Sequence, residues 1–135
     1  MNFAFDLNPA PVAVNERAAL LADPGFGRVF TDHMALIRYN ETDGWHDAQI
    51  TARKPLVLDP ATAVLHYAQE IFEGMKAYKL ADGGMALFRP DANAARFTAS
   101  ARRMAMAELP EDLFIESVKA LVRADRDWFP DIDGG

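Results

Sequence analysis

Residues 74–104, GMKAYKLADGGMALFRPDANAARFTASARRM, contain the pattern that decides the fold. Two short apolar runs, GMKAYKL and MALFRP, flank Asp82-Gly83-Gly84, and an Asp-Gly pair favours a tight turn between antiparallel strands. Pro90-Asp91 then begins an alanine-rich segment, for which we expect a helix from Ala92 to Met104 with Asp91 as its N-cap. The stretch therefore predicts a hairpin followed directly by a helix.

The same order of elements extends to both sides of this stretch. A second Asp-Gly turn, Thr42-Asp43-Gly44, predicts a hairpin between MALIRYN and WHDAQIT, and the residues at 56–58 and 64–66 predict further short extended pieces. Downstream, Pro110-Glu111-Asp112 favours the first turn of a second long helix that continues to Pro130. Strands followed by helices predict an α+β fold, with an antiparallel β-sheet and two main helices packed on it.

Composition divides the chain into three regions. Residues 1–25 should form an N-terminal arm, irregular over 1–14, and a short helix over 16–21 that Asn15 caps. Residues 26–130 should form one small α+β domain. Residues 131–135, DIDGG, have a turn-like composition without a capping element, which indicates either a cut within a longer chain or the start of a connection to a further part of the protein.

Composition also excludes several classes of function. The 135 residues include no cysteine, which excludes a disulfide framework and a thiolate metal site. Three scattered histidines show no ligand spacing, so we expect no metal: His33, His46 and His66. A net charge of −6 argues against nucleic-acid binding. We find no bilayer-length apolar run and no signal peptide, and we expect a cytoplasmic protein without a membrane partner.

The predicted first long helix carries a basic face. Arg96, Ser100 and Arg103 lie at i, i+4 and i+7 and should share one side of the helix. An arginine there could bind a phosphate through two hydrogen bonds, although an ordinary solvated helix face fits the spacing equally well. Four lysines lie in polar or exposed-looking contexts and indicate surface charges: Lys54, Lys76, Lys79 and Lys119. We therefore expect no catalytic residue in this chain.

The segment just before the second hairpin breaks the strand period. Ile71 and Phe72 are adjacent apolar residues, and a carboxylate and a glycine follow them. The pattern favours a turn over 67–71, a regular strand from about Glu73, and a bulge at the junction. Gly74 would allow backbone or ligand to approach closely there.

Four motifs together resemble a known family. FGRVFTDHM (26–34), HYAQEIFEGMKAY (66–78), LFRPDANAARFTASARRMAM (87–106) and DWFP (127–130) are similar to the N-terminal part of branched-chain amino-acid aminotransferases. These are fold-type IV enzymes that depend on pyridoxal phosphate. The resemblance implies the small N-terminal domain of the D-amino-acid aminotransferase-like fold. It also implies amino-group transfer from leucine, isoleucine or valine to 2-oxoglutarate by a homodimer or higher homo-oligomer.

The resemblance further implies roles for individual residues. Arg96 matches the residue that binds the cofactor phosphate, and Phe72 and Gly74 match the wall of the substrate pocket. Tyr67 matches a tyrosine contributed across the dimer interface, and Phe26 matches an aromatic pocket residue. For Tyr67 and Phe72, ordinary core packing remains the alternative.

The family's Schiff-base lysine lies in a C-terminal domain. The resemblance therefore implies an active parent enzyme and an inactive 135-residue piece. Two alternatives stay open: another fold-type IV enzyme, such as a D-amino-acid aminotransferase or aminodeoxychorismate lyase, or a non-catalytic α+β association module.

Overall fold

The computed structural model describes residues 2–130, which form a small α+β domain. Within this range the elements are, in chain order, β1 (Ala4–Asp6), α1 (Val14–Ala22), β2 (His33–Asn40), β3 (Gly44–Ala52), α2 (Ala63–Tyr67), β4 (Ala77–Lys79), β5 (Met85–Leu87), α3 (Pro90–Arg103), α4 (Glu111–Ala124) and a 3₁₀-helix (Arg126–Trp128). The predicted α+β class is confirmed. The predicted connection at 131–135 lies outside the described residues.

Strands β2 and β3 form the predicted antiparallel hairpin. The side-chain oxygen of Asn40 accepts the amide hydrogens of Thr42 and Asp43, at 2.9 and 2.7 Å, and Gly44 takes a positive φ of 65°. An asparagine that bonds the backbone of the following turn is a common device for reversing the chain. The Asp-Gly pair was therefore sufficient to predict this hairpin.

The N-terminal arm contains a strand that was not predicted. Strand β1 pairs in parallel with β3, from Ala4 opposite Gln49 to Asp6 opposite Thr51, which gives a three-stranded sheet of order β1-β3-β2. The expectation of an irregular arm is wrong at these residues, and this sheet is mixed rather than antiparallel. Three residues are too few to show a period, and their partner strand is distant in sequence.

Strands β4 and β5 form the second predicted hairpin, as a separate two-stranded sheet. The amide of Leu80 donates to the carbonyl of Gly84 at 2.8 Å and closes the turn. The predicted strand start near Glu73 is wrong, because β4 begins at Ala77. Residues 68–76 instead form an irregular segment, so the broken period marks a loop rather than a bulge within a strand.

The segment between the hairpins also departs from prediction. Residues 56–58 belong to no strand, and residues 63–67 form the short helix α2. The side chain of Asp59 accepts the amide of Ala61 at 2.7 Å, an Asx turn that leads into the helix. Ala68 then adopts a left-handed φ of 49° and ends it. Of the two predicted extended pieces, residues 64–66 lie in this helix and residues 56–58 are irregular, so both predictions are wrong.

Both predicted side-chain caps are absent. Helix α3 begins at Pro90, after Arg89 in a left-handed conformation with φ of 46°, so Asp91 lies in the first turn rather than at the N-cap. Proline suits a first helical position because its missing N–H would have no partner there. Helix α1 begins at Val14, which places Asn15 inside the helix.

Helix α4 is the element that covers the three-stranded sheet. It packs against β2 and β3, whereas α3 packs mainly against α4, with Phe97 and Phe114 rings 5.1 Å apart. The expectation that both helices lie on the sheet is therefore only half right, because Phe97 faces a helix. Helix α4 starts where predicted but ends at Ala124 instead of reaching Pro130.

The core lies between β3 and α4. Ile50 is completely buried, and burial of such a side chain stabilises a fold by about 1.5–3 kcal/mol. The other buried apolar residues of these two elements are Ala48, Leu113 and Ala120. Within residues 2–130, none of the helices has both the length and the apolar character required to cross a bilayer.

A buried histidine joins three parts of the chain. His33 Nδ1 lies 2.6 Å from Asp125 Oδ1, and His33 Nε2 accepts the backbone amide of Asn8 at 3.0 Å. Because an amide N–H can only donate, Nε2 carries no proton and Nδ1 donates to the carboxylate. His33 therefore has a structural role that connects the arm, β2 and the end of α4.

The preceding residue makes a parallel connection. Asp32 is buried, and its two carboxylate oxygens accept the backbone amide of Val12 at 3.0 Å and the indole N–H of Trp128 at 2.8 Å. Trp128 is itself buried. The adjacent residues Asp32, just before β2, and His33, its first residue, thus hold both the arm and the segment after α4.

Candidate functional site

Glu73 attaches the loop of residues 72–74 to helix α3. Its Oε1 accepts the amide N–H of Gly74 at 2.9 Å and the side-chain amide of Asn93 at 3.1 Å. The same Asn93 nitrogen also donates to the carbonyl of Gly74 at 3.1 Å. Only 4% of the Glu73 side chain is exposed, so this carboxylate is fixed between the loop and the helix.

Arg96 completes the attachment with a two-pronged ion pair. Its Nε donates to Glu73 Oε2 at 2.8 Å and its Nη2 to Oε1 at 2.5 Å. These bonds are the largest cause that lowers the pKa of Glu73 to about 2; burial opposes the shift, and the bonds from Asn93 and Gly74 add to it. The same pair raises the pKa of Arg96. Both groups therefore stay charged throughout the neutral range.

The guanidinium of Arg96 has one edge engaged and one edge open. Glu73 takes the edge formed by Nε and Nη2, and Nη1 lies at the opposite end of the planar group. The Arg96 side chain is 69% exposed although its carboxylate partner is buried. An exposed, oriented guanidinium edge is suited to bind a second anion.

Arg96 lines a surface depression of about 430 Å³. Its lining combines two cations, a hydroxyl and apolar groups, contributed by Ile71, Phe72, Arg96, Ala99, Ser100, Arg103 and Met104. The predicted face of Arg96, Ser100 and Arg103 is thus present. Phosphate oxygens would meet the polar part, and a flat or branched apolar group would meet the rest.

Gly74 leaves space for the ring of Phe72. A Cβ at position 74 would lie 3.3 Å from Phe72 Cζ, closer than most side-chain contacts, and 3.5 Å from Cε1, an ordinary contact distance. Phe72 is 89% exposed, which excludes the alternative that it is a core residue. The glycine therefore allows a close approach, but the approaching group is the phenyl ring of Phe72, whereas backbone or ligand was predicted.

The structure does not bring the remaining predicted pocket residues to this depression. Tyr67 is the last residue of α2 and is 82% exposed, so it is not a core residue either. Phe26 lies in the turn after α1 and is fully exposed. Neither is among the described residues that line the depression. Phe72, Gly74 and Arg96 form one cluster, and Tyr67 and Phe26 lie outside it.

Sequence reasoning missed Glu73 and Asn93. Both lie inside motifs that were recognised, Phe72-Glu73-Gly74 and the Asn93-x-x-Arg96 segment, but neither received a role. Asn93 and Arg96 at i and i+3 share one helix face, which was a readable signal. Their common partner on a distant loop was not readable, because no local period relates residues 20 or more positions apart.

A second cavity, of about 460 Å³, lies between β5 and α4. Apolar side chains line most of it, with Lys119 and Arg123 at its border. Lys119 already pairs with Glu116 at 2.9 Å. We take the first depression as the candidate site, because an anchored cation and apolar side chains line it together.

The sequence of the chain is similar to those of known aminotransferases. No family model matches the chain. The chain is 59% identical over 127 residues to a probable branched-chain-amino-acid aminotransferase of Streptomyces coelicolor. These residues are 93% of the chain and 35% of that protein. It is 54% identical over 127 residues to the branched-chain-amino-acid aminotransferase of Mycolicibacterium smegmatis, covering 94% of the chain and 34% of that protein.

A more distant relative agrees with these two. Branched-chain-amino-acid transaminase 1 of Bacillus subtilis is 47% identical over 106 residues, which cover 78% of the chain and 30% of that protein. The chain thus spans about a third of the length of the curated relatives it matches. The resemblance seen in the sequence is confirmed, and its extent fits an N-terminal portion.

Proposed function

We propose that this chain is the N-terminal part of a branched-chain-amino-acid aminotransferase of the fold-type IV class, dependent on pyridoxal phosphate. The parent enzyme would move the amino group of leucine, isoleucine or valine to 2-oxoglutarate, in the cytoplasm and as a homodimer or higher homo-oligomer. The proposal is supported by 47–59% identity to proteins named for this activity over most of the chain. It is the conclusion that sequence and geometry support jointly.

One observation carries the proposal at the level of atoms, namely the open edge of Arg96 beside Ser100. A phosphate monoester accepts two parallel N–H bonds from a guanidinium, and Arg96 offers such an edge already fixed in direction. The hydroxyl of Ser100 and the charge of Arg103 lie in the same depression. These groups fit the phosphate of the proposed cofactor.

The cofactor would supply the electron sink for the reaction, and the residues of this chain would supply orientation. Arg96 would hold the phosphate and thereby fix where the ring lies. Phe72, with room provided by Gly74, would form an apolar wall against branched side chains and exclude water. An apolar wall separates substrates that differ by one methylene by only about 1–3 kcal/mol, which suits an enzyme that accepts all three.

The other two predicted residues lie away from the depression and are exposed aromatic side chains. Tyr67 would reach the active site of another subunit across the dimer interface, and Phe26 would be an aromatic residue of the substrate pocket in the parent enzyme. The catalytic lysine would belong to the part of the parent enzyme that this chain does not cover. The 135-residue piece alone should therefore be inactive.

The phosphate assignment is tested by comparing two arginines of α3 in the full-length protein. Arg96→Ala removes the proposed clamp, and Arg102→Ala is the matched control, because Arg102 is equally exposed, 68% against 69%, and pairs in the same two-pronged way with Glu108. We expect Arg96→Ala to weaken pyridoxal phosphate binding more than about tenfold, measured by reconstitution of the apo form, as for truncation of one partner of a charge pair.

Pyridoxal, which lacks the phosphate, should bind equally to both variants and to the wild type. Equal affinity of the two arginine variants for pyridoxal phosphate would contradict the assignment. Loss of pyridoxal binding in Arg96→Ala would likewise contradict it, because the damage would then not be specific to phosphate.

A further inference from the structure

We propose that Glu73 is a positioning residue for the anion site: it holds the guanidinium of Arg96 by its inner edge so that the outer edge is presented to a phosphate. This inference rests on the proposed function, since it assumes that Arg96 binds the cofactor phosphate. It assigns a task to a carboxylate that no feature of the sequence explained.

The bonding pattern favours this task. A guanidinium has two edges that can each make a pair of parallel hydrogen bonds, one through Nε and an Nη, and one through the two Nη atoms. Glu73 occupies the first edge of Arg96 with bonds of 2.8 and 2.5 Å. The second edge keeps its donors, and Arg96 lines the depression together with Phe72 and Ser100.

The alternative is that Glu73 competes with the phosphate and leaves when the phosphate arrives. Its anchoring argues against this, because Oε1 also accepts bonds from Gly74 N–H and Asn93 Nδ2, neither of which depends on Arg96. The carboxylate is 4% exposed, whereas the arginine side chain is 69% exposed. The buried glutamate is therefore the fixed point to which the exposed arginine is attached.

Fixing a long side chain in advance lowers the cost of binding. A free arginine must lose its rotamer freedom when it binds an anion, and a partner that has already ordered it removes that cost from the binding step. Removal of the partner should therefore weaken the anion complex even though it removes a negative charge from the neighbourhood. The sign of the effect thus separates positioning from competition.

The test uses the full-length protein with Glu73→Gln, which keeps the size of the side chain but loses its charge and one acceptor. The control is Glu108→Gln, which breaks the corresponding two-pronged pair with Arg102 on the same helix. We expect Glu73→Gln to weaken pyridoxal phosphate binding by about three- to tenfold. We expect Glu108→Gln to leave it unchanged, and pyridoxal to bind all variants equally.

A double-mutant cycle shows whether Glu73 acts through Arg96. In an Arg96→Ala background, Glu73→Gln should cause no further loss of phosphate-dependent affinity. A full additional loss there, or tighter binding by the single variant, would overturn the proposal. If Glu73→Gln does not fold, Glu73→Asp replaces it, since a shortened carboxylate keeps the charge but cannot reach both nitrogens, and the same outcomes decide.

The two proposals can fail separately. If Arg96→Ala leaves pyridoxal phosphate affinity unchanged, the phosphate assignment fails and this inference fails with it. If Arg96→Ala weakens binding and Glu73→Gln does not, only the positioning task of Glu73 is refuted.

Discussion

Trp128→Phe is the substitution that tests the buried network most directly. The indole N–H of Trp128 donates to Asp32 Oδ2 at 2.8 Å, and both residues are buried, at 6% and 7% exposure. Phenylalanine keeps most of the ring but has no donor. The carboxylate oxygen would then be left in a buried position without the bond that compensates its desolvation.

The expected loss of unfolding free energy in Trp128→Phe has two contributions. A hydrogen bond to a charged acceptor contributes about 1.5–3 kcal/mol, and the smaller ring loses roughly 40 Å² of apolar contact, which is about 1 kcal/mol. We therefore expect Trp128→Phe to lower the free energy of unfolding by about 2.5–4 kcal/mol. The chain contains a matched control, because the indole of Trp45 donates to the carbonyl of Glu108 at 2.9 Å in an exposed position.

Urea denaturation at neutral pH, followed by far-UV circular dichroism, measures both variants. Trp45→Phe should cost about 0.5–1.5 kcal/mol, since water can replace the bond to an exposed carbonyl. The dependence of unfolding on urea should stay the same, because neither variant changes the surface exposed on unfolding very much. A loss for Trp128→Phe no greater than that for Trp45→Phe would refute the reasoning that burial of Asp32 makes its hydrogen bonds expensive to remove.

Three further predictions concern the core and the loop of residues 72–74. Ile50→Ala should cost about 2–5 kcal/mol in urea denaturation, because the side chain is fully buried; a loss below about 1 kcal/mol would contradict its place in the core. Folding lowers the pKa of Glu73 from 4.5 to about 2, so the difference in unfolding free energy between wild type and Glu73→Gln should be constant above about pH 5. It should shrink as pH falls from about 4.5 to about 2. A difference that grows on acidification would contradict the lowered pKa. Gly74→Ala should displace the exposed ring of Phe72 and lower the free energy of unfolding by no more than about 0.5 kcal/mol, measured by thermal unfolding. In the full-length protein it should also change the ratio of activity on leucine to activity on valine. An unchanged ratio would contradict the proposal that Phe72 forms a wall of the substrate pocket.

Local chemistry determined which elements could be predicted. The hairpin at Thr42-Asp43-Gly44 and the start of α4 at Glu111 depend on residues within one or two turns of chain, and both were found where expected. Strand β1 and helix α2 were not predicted, because three and five residues are too few to show a period. A three-residue strand exists only through its partner, and no pattern within Ala4–Asp6 identifies that partner.

In the candidate site, too, the residues with a local sequence signal were predicted and those with a distant partner were not. Arg96 was identified from helical spacing and from the resemblance, and the spacing also placed Ser100 and Arg103 correctly on its face. Glu73 was seen only as an interruption in a strand pattern. Its role depends on the contact between its carboxylate, in the loop of residues 72–74, and the guanidinium of Arg96 on α3, which tertiary packing brings together. Ionic partners that are distant in sequence have no periodic signal.

The way the arm is attached has a consequence for the order of assembly. Strand β1 and the amides of Asn8 and Val12 reach β2 and β3 across long stretches of chain, so their loop-closure entropy must be overcome before they contribute any stability. The β2–β3 hairpin closes over a few residues and can form first. Native-state hydrogen exchange should therefore find the arm's amides exchanging together, through an opening that leaves the hairpin protected.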